Sequence, residues 1–176
     1  VISKDISEKD CIPIGSLTFV MNYYEKHFGI KNITVINIPK ELQEERYLKR
    51  KIYLQDDIDF LRDDESYFIK DISRYKGYTD IVKGEEIKRL HKKGLHIFSE
   101  EVDFLAEFRC FVFNKKIIDI RRYLGDFYEN VDKKMLEEMV SKYSDISSYT
   151  LDIGIIEKDG KKHTALIEIH PFFSCS

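Results

Sequence analysis

The chain has 176 residues, 43% of them hydrophobic and 35% charged, with a formal net charge of -3. That length can bury a real core as one domain, or as two small lobes sharing a cleft, and leaves no room for a third domain. The near-balanced charge gives no reason to expect nucleic acid or an acidic membrane as partner, and no apolar run approaches a membrane span or a signal peptide. Three cysteines, Cys11, Cys110 and Cys175, fit no zinc spacing and would leave one thiol over in a disulfide scheme, which points to a reducing, cytoplasmic setting.

Residues 1 to 11 are polar and read as irregular, and Ile12-Pro13-Ile14-Gly15 as a short extended piece ending in a turn. Ser16 is placed to cap a helix in which Leu17, Val20, Met21 and Tyr24 recur at helical spacing, with Gly29 as its stop. Ile14-Gly15-Ser16 could offer a phosphate contact at that helix start, but a capped turn accounts for one glycine equally well. The β-branched run Ile33 to Ile38 before Pro39 predicts a strand, and the charged stretch Lys40 to Arg50 a helix.

Tyr67 to Lys70 is a short strand ending in lysine, and Ser73 to Asp80 a loop carrying Lys76 and Gly77. One ammonium fixed on a strand and another on a glycine-containing loop can close on a triphosphate from two sides. Two solvated surface lysines are the alternative. Glu85 to Lys93 reads as a helix, and Leu95 to Val102 and Ala106 to Phe113 as strands. In the second of these strands the period of two puts Glu107, Arg109, Phe111 and Phe113 on one face and Phe108, Cys110 and Val112 on the other. Taken alone, Glu107 and Arg109 make an ordinary ion pair on an exposed sheet. Asn114-Lys115-Lys116 turns the chain into a strand, Ile117 to Tyr123, whose Arg121 or Arg122 is available for an anion or for surface salt bridges. Asp132 caps a helix running to about Tyr143, with Met135, Met139 and Val140 on its buried side.

The last stretch, Tyr149 to Ser176, sets two carboxylates in otherwise apolar strands: Asp152 among Leu151, Ile153 and Ile155, and Glu168 between Ile167 and Ile169. A two-residue Asp159-Gly160 loop would separate the acids onto different faces. A three-residue loop of Lys158, Asp159 and Gly160 pairs Glu157 with Lys161, sets Asp152 opposite Leu166 and makes Glu168 its diagonal neighbour on the same face, roughly 7 to 8 Å away. One divalent cation can bridge that span.

A strand with an inward Asp, a hairpin, and an acid two residues before a further ligand resembles the magnesium site of the ATP-grasp superfamily, where the return strand reads Glu-x-Asn. Here it reads Glu168-Ile169-His170. Upstream, FIKD (Phe68 to Asp71), RYKGYTD (Arg74 to Asp80), FSEEVDFLAEFRCFV (Phe98 to Val112) and IIDIRRYLGDF (Ile117 to Phe127) follow in the order and approximate spacing of a small, divergent ATP-grasp clade found in bacterial and phage genomes. The resemblance covers about residues 12 to 176. It implies an α+β fold of two lobes, mostly antiparallel sheets with flanking helices and a nucleotide cleft between the lobes. Residues 1–62 would be a shortened remnant of a preceding domain, 63–102 the small lobe and 103–176 the large lobe with the metal site.

The same resemblance implies an ATP-dependent carboxylate-amine ligase that passes through an acyl phosphate. Lys70 and Lys76 would hold phosphates, Glu100, Glu101 and Val102 the adenine, Glu107 the ribose, and Arg109 a phosphate or the acyl phosphate, with Arg121 as a further phosphate contact. Arg109 and Lys76 would act in catalysis. Asp152, Glu168 and His170 would bind Mg²⁺, with Mn²⁺ favoured wherever the imidazole replaces the family's oxygen ligand. The substrates would be ATP with an unnamed carboxylate and amine, in a small molecule or a peptide. A degenerate nucleotide-binding or protein-interaction module without turnover is the competing expectation, and His170 is its best argument. A nucleic-acid-modifying enzyme is a third, which the charge does not advertise.

Overall fold

The computed structural model describes residues 7–31, 35–54, 58–72, 77–90 and 96–171, Leu90 by its backbone only. Lys76 and Cys175 lie outside the described residues, as does the greater part of the expected Ser73 to Asp80 loop. The chain divides into two units, residues 1–34 and 35–176.

The first unit contains helix α1, Leu17–Phe28. It begins as expected: the Ser16 Oγ accepts a hydrogen bond from the Phe19 amide at 3.3 Å. It ends with Gly29 at φ 71°, whose amide bonds back to the Glu25 carbonyl, a conformation that costs glycine little. The serine thus occupies the helix start that a phosphate would otherwise take.

The second unit carries two four-stranded antiparallel sheets. Its first residues depart from expectation. No strand forms over the described residues 35–38; Asn37, at φ 56°, leaves the extended region and makes a single bridge to Ile169. Asparagine tolerates that left-handed conformation better than its β-branched neighbours do. The expected helix from Lys40 to Arg50 is likewise broken into a 3₁₀ turn, Lys40–Leu42, and one helical turn α2, Glu45–Leu48, which Lys49 ends at φ 56°. Burial of Leu42, Tyr47 and Leu48 against the large sheet sets this path, over the helical propensity of the charged residues between them.

The smaller sheet has strands in the order β1 (Ile52–Leu54), β4 (His96–Glu100), β2 (Ser66–Asp71) and β3 (Thr79–Lys83), with helix α3 (Gly84–Leu90) following β3. Thr79 and Asp80, expected in a loop, belong to β3 because Lys70 and Ile69 pair with them. A separate apolar cluster of Leu61, Tyr67, Ile69, Ile87 and Phe98 holds this sheet.

The larger sheet has the order β6 (Lys116–Gly125), β5 (Ala106–Phe113), β7 (Ser148–Lys158) and β8 (Lys161–Pro171). Strand β5 alternates as its sequence demands, with Ala106, Phe108, Cys110 and Val112 buried. Helix α4, Lys133–Lys142, is capped by Asp132, whose Oδ1 accepts from the Lys134 amide at 2.9 Å and the Met135 amide at 3.3 Å. It buries Leu136, Met139 and Val140; Met135 is only partly covered, and Leu136 takes the inward place expected for it.

The β7–β8 hairpin corrects the expected register. Its loop is two residues, Asp159 and Gly160, both at positive φ (54° and 69°), between paired Lys158 and Lys161. That geometry matches the twist of the strands, which a three-residue loop would not need. The expectation that such a loop separates the acids fails because β8 carries a bulge: Ile153 pairs with Leu166 and Asp152 with Glu168, leaving Ile167 unpaired. The extra residue returns Glu168 to the face of Asp152, directly opposite it rather than diagonal.

Candidate active site

Strand β7 is central in its sheet and buried along both faces from Tyr149 to Ile156, so Asp152, 2% exposed, needs a partner. Arg109, its neighbour across the β5–β7 ladder, supplies one in a two-pronged pair: Nε donates to Oδ1 and Nη2 to Oδ2, each at 2.9 Å. Across the hairpin, the Glu168 carboxylate takes a hydrogen bond from His170 Nε2 at 2.8 Å and a short ion pair from Lys70 of β2. Burial would raise the Glu168 pKa; the His170 hydrogen bond and the Lys70 charge outweigh it and hold the carboxyl down to about 2. His170 Nε2 lies 3.9 Å from Asp152 Oδ2.

Asp152, Glu168 and His170 thus offer three ligand atoms within 4.8 Å of one another. Opposite ligands of a hexacoordinate Mg²⁺ are about 4.2 Å apart, so closing by a few tenths of an ångström would complete the set. Two carboxylates and an imidazole fit a divalent cation in charge as well as reach, and the nitrogen suits Mn²⁺ better than Mg²⁺.

Beside this cluster a cleft of about 620 Å³, its open mouth included, runs between the two sheets. Lys70 and Glu168 line it at one end and Glu100, Glu101 and Val102 along the link that leaves β4, with Ile81, Ile97 and Phe104 among its apolar walls. The link reaches into the site because Gly154 leaves a gap: a Cβ built there would stand 2.0 Å from the Phe104 ring. Glu100 also accepts the Lys51 amide at 3.0 Å.

The other expected residues divide. Glu107 shares the face of Arg109 and accepts a hydrogen bond from the Tyr123 hydroxyl at 2.6 Å, while the Arg109 guanidinium lies 5.4 Å from the Tyr123 ring centre. Burial, and then the acid beside it, push the Tyr123 phenol upward. Arg121 faces Arg109 across the β5–β6 ladder, but its exposed guanidinium turns to Asp119 at 2.7 Å, and Arg122 bonds the Gly125 carbonyl. Cys110 is a free, buried thiol whose pKa burial pushes up to about 12, which makes it a poor nucleophile at neutral pH.

Sequence reasoning missed Arg50 and Asn37. Arg50, 7% exposed, lines the cleft and donates to Ser99 Oγ at 3.0 Å, the Leu48 carbonyl at 3.2 Å, the Leu166 carbonyl at 2.7 Å and the Ile167 carbonyl at 3.3 Å. Burial lowers its pKa to about 10, and the charge of Glu168 opposes the drop. Asn37 lines the same cleft, and its carbonyl accepts the Ile169 amide at 2.6 Å, between Glu168 and His170. A lone arginine at the end of a charged run carries no periodic signal that would set it apart.

Residues 47–176 match the model of an ATP-grasp domain, family 2 of its clade. The chain belongs to that ATP-grasp family. Among solved structures its fold is similar to the ATP-grasp ligase PsnB complexed with a minimal precursor, with a TM-score of 0.56 and 13% identity over 88% of this chain and 60% of that one. It is also similar to the macrocyclase MdnC from Microcystis aeruginosa MRC bound with precursor peptide MdnA, at 0.56 and 16% over 75% and 50%. N5-carboxyaminoimidazole synthetase from Staphylococcus aureus aligns at 0.52 and 11% over 75% and 42%. The chain therefore spans between 42% and 60% of the length of these ATP-grasp proteins. No curated protein sequence matches it significantly. The two antiparallel sheets with flanking helices are the ATP-grasp arrangement expected from the motifs. Among the described residues no helix is long and apolar enough to cross a membrane.

Proposed function

We propose that this chain is the nucleotide-binding core of an ATP-dependent carboxylate-amine ligase. The observation that carries the reading is the cleft between the sheets, which runs from the Glu100–Val102 link to Lys70 and Glu168, beside the Asp152–Glu168–His170 cluster. Residues 63–102 would form the small lobe and 103–176 the large lobe, with 1–62 as the shortened preceding region. The exposed backbone of the link would read adenine, Glu107 would take the ribose, and Lys70, together with Lys76, would neutralise phosphates in a site that excludes much of the water. Asp152, Glu168 and His170 would hold Mg²⁺ or Mn²⁺, which would supply positive charge to the transferring phosphoryl oxygens.

In the first step a substrate carboxylate oxygen attacks the γ-phosphorus and ADP leaves. In the second, an amine attacks the acyl carbon and phosphate departs with the carbon-oxygen bond electrons. Neither step needs a side-chain nucleophile; the protein's work is positioning and charge. Arg109 is aimed to hold the acyl phosphate once a cation takes over Asp152, and Arg121 would have to abandon Asp119 to contribute. The two neighbours bound to precursor peptides make a peptide carboxylate the first acceptor to try, in a reducing, cytoplasmic setting.

Phosphate and ADP release from Mg²⁺, ATP and candidate acceptors tests the reading, with melting temperature as the binding control: ATP and Mg²⁺ together should stabilise the fold more than either alone. An unchanged melting temperature at saturating nucleotide and metal would refute it. One observation favours a second reading, a nucleotide-binding module without turnover: Arg109 already occupies both oxygens of Asp152. Nucleotide-dependent stabilisation without ADP release under any acceptor would select it.

A further inference from the structure

We infer that Arg50 is a positioning residue for the metal cluster, acting through the bulge of β8; the inference rests on the metal-site reading above. The bulge decides the site, since without the unpaired Ile167 the two-residue hairpin would put Glu168 on the face opposite Asp152. A bulge also leaves carbonyls outside the ladder, and β8 is an edge strand with no further strand, among the described residues, to receive them. Arg50 takes that place. Its Nη1 and Nη2 bond the carbonyls of Leu166 and Ile167, the two residues immediately before Glu168, while its Nε anchors to Ser99 in the smaller sheet.

The planar guanidinium suits this task because its donors leave in fixed directions from one rigid group, which a lysine ammonium cannot reproduce. Its position 7% exposed, close to the Phe104 ring, leaves little freedom to wander. The Asn37 carbonyl completes the grip one residue beyond Glu168 by accepting the Ile169 amide. Arg50 thus holds the backbone that aims Glu168 and ties the metal cluster to the sheet that carries Lys70. It needs no contact with the metal or the nucleotide.

The test uses the whole chain in three forms, unaltered, Arg50→Gln and Arg50→Lys. Mn²⁺ binding is followed by electron paramagnetic resonance, and metal-free nucleotide binding is measured separately in chelator. Arg50→Gln should weaken Mn²⁺ about tenfold or more, as loss of groups that orient metal ligands does, and leave metal-free nucleotide affinity within twofold. Arg50→Lys should recover little, because charge alone does not hold two carbonyls. Equal Mn²⁺ affinity in all three forms overturns the inference. So does a parallel loss of metal and nucleotide binding, which would make Arg50 a direct ligand or a general support. Should Arg50→Gln unfold, Arg50→Lys decides alone: a threefold or greater loss of Mn²⁺ affinity supports the inference and unchanged affinity overturns it. If the unaltered protein binds no Mn²⁺ at all, the metal-site reading fails first and this inference falls with it.

Discussion

The two edges of the large sheet are built to opposite specifications. At one edge, β8 buries Thr164, Ala165, Leu166 and Ile169 and has its outer backbone held by Arg50 and Asn37. At the other, β6 leaves Ile118, Tyr123 and Leu124 exposed, and its arginines make only local bonds, to Asp119 and Gly125. The acids that want a fixed separation sit at the held edge. Order at that edge comes from segments distant in sequence, whereas β6 depends on a single ladder with β5 and its own turn.

Substitutions can break this contrast, and their expected effects fall in a series. Glu168→Gln, which keeps shape and loses charge, should cut metal-dependent ADP release by about 100-fold or more, the scale of removing one charge-stabilising group from a site; full activity would remove Glu168 from the site. Leu166→Ala, at the bulge and fully buried, should cost about 2 to 5 kcal/mol in urea unfolding, because it leaves a cavity under the held edge. The equivalent truncation of exposed Ile118 should leave the midpoint unchanged, and equal losses at both positions would erase the distinction between the edges.

Gly154→Ala sharpens the comparison nearer the cleft. A methyl group there would meet the Phe104 ring, so the link must shift, at about 1 to 3 kcal/mol, and nucleotide affinity should fall along with the melting temperature. A stability loss with unaltered nucleotide affinity would dissociate Phe104 from the nucleotide cleft. The smallest effect belongs to Arg121→Ala on the loose edge: its exposed pair with Asp119 should be silent in both melting temperature and KM for ATP. A clear rise in that KM would show that Arg121 leaves Asp119 for a phosphate.

Much of this was legible in local pattern. The alternation of Ala106 to Phe113, the caps Ser16 and Asp132, the Asp159-Gly160 turn and the order of the family motifs depend on residues within a few positions of one another, and local sterics and hydrogen bonding decide them. Tertiary structure alone decided the bulge at Ile167, the broken path of residues 35–50, the seat of Phe104 over Gly154 and the burial of Arg50. Each is a bargain between segments far apart in the chain: a carbonyl freed in β8 matters only because a guanidinium from position 50 arrives to receive it, and no periodicity in either segment records the meeting.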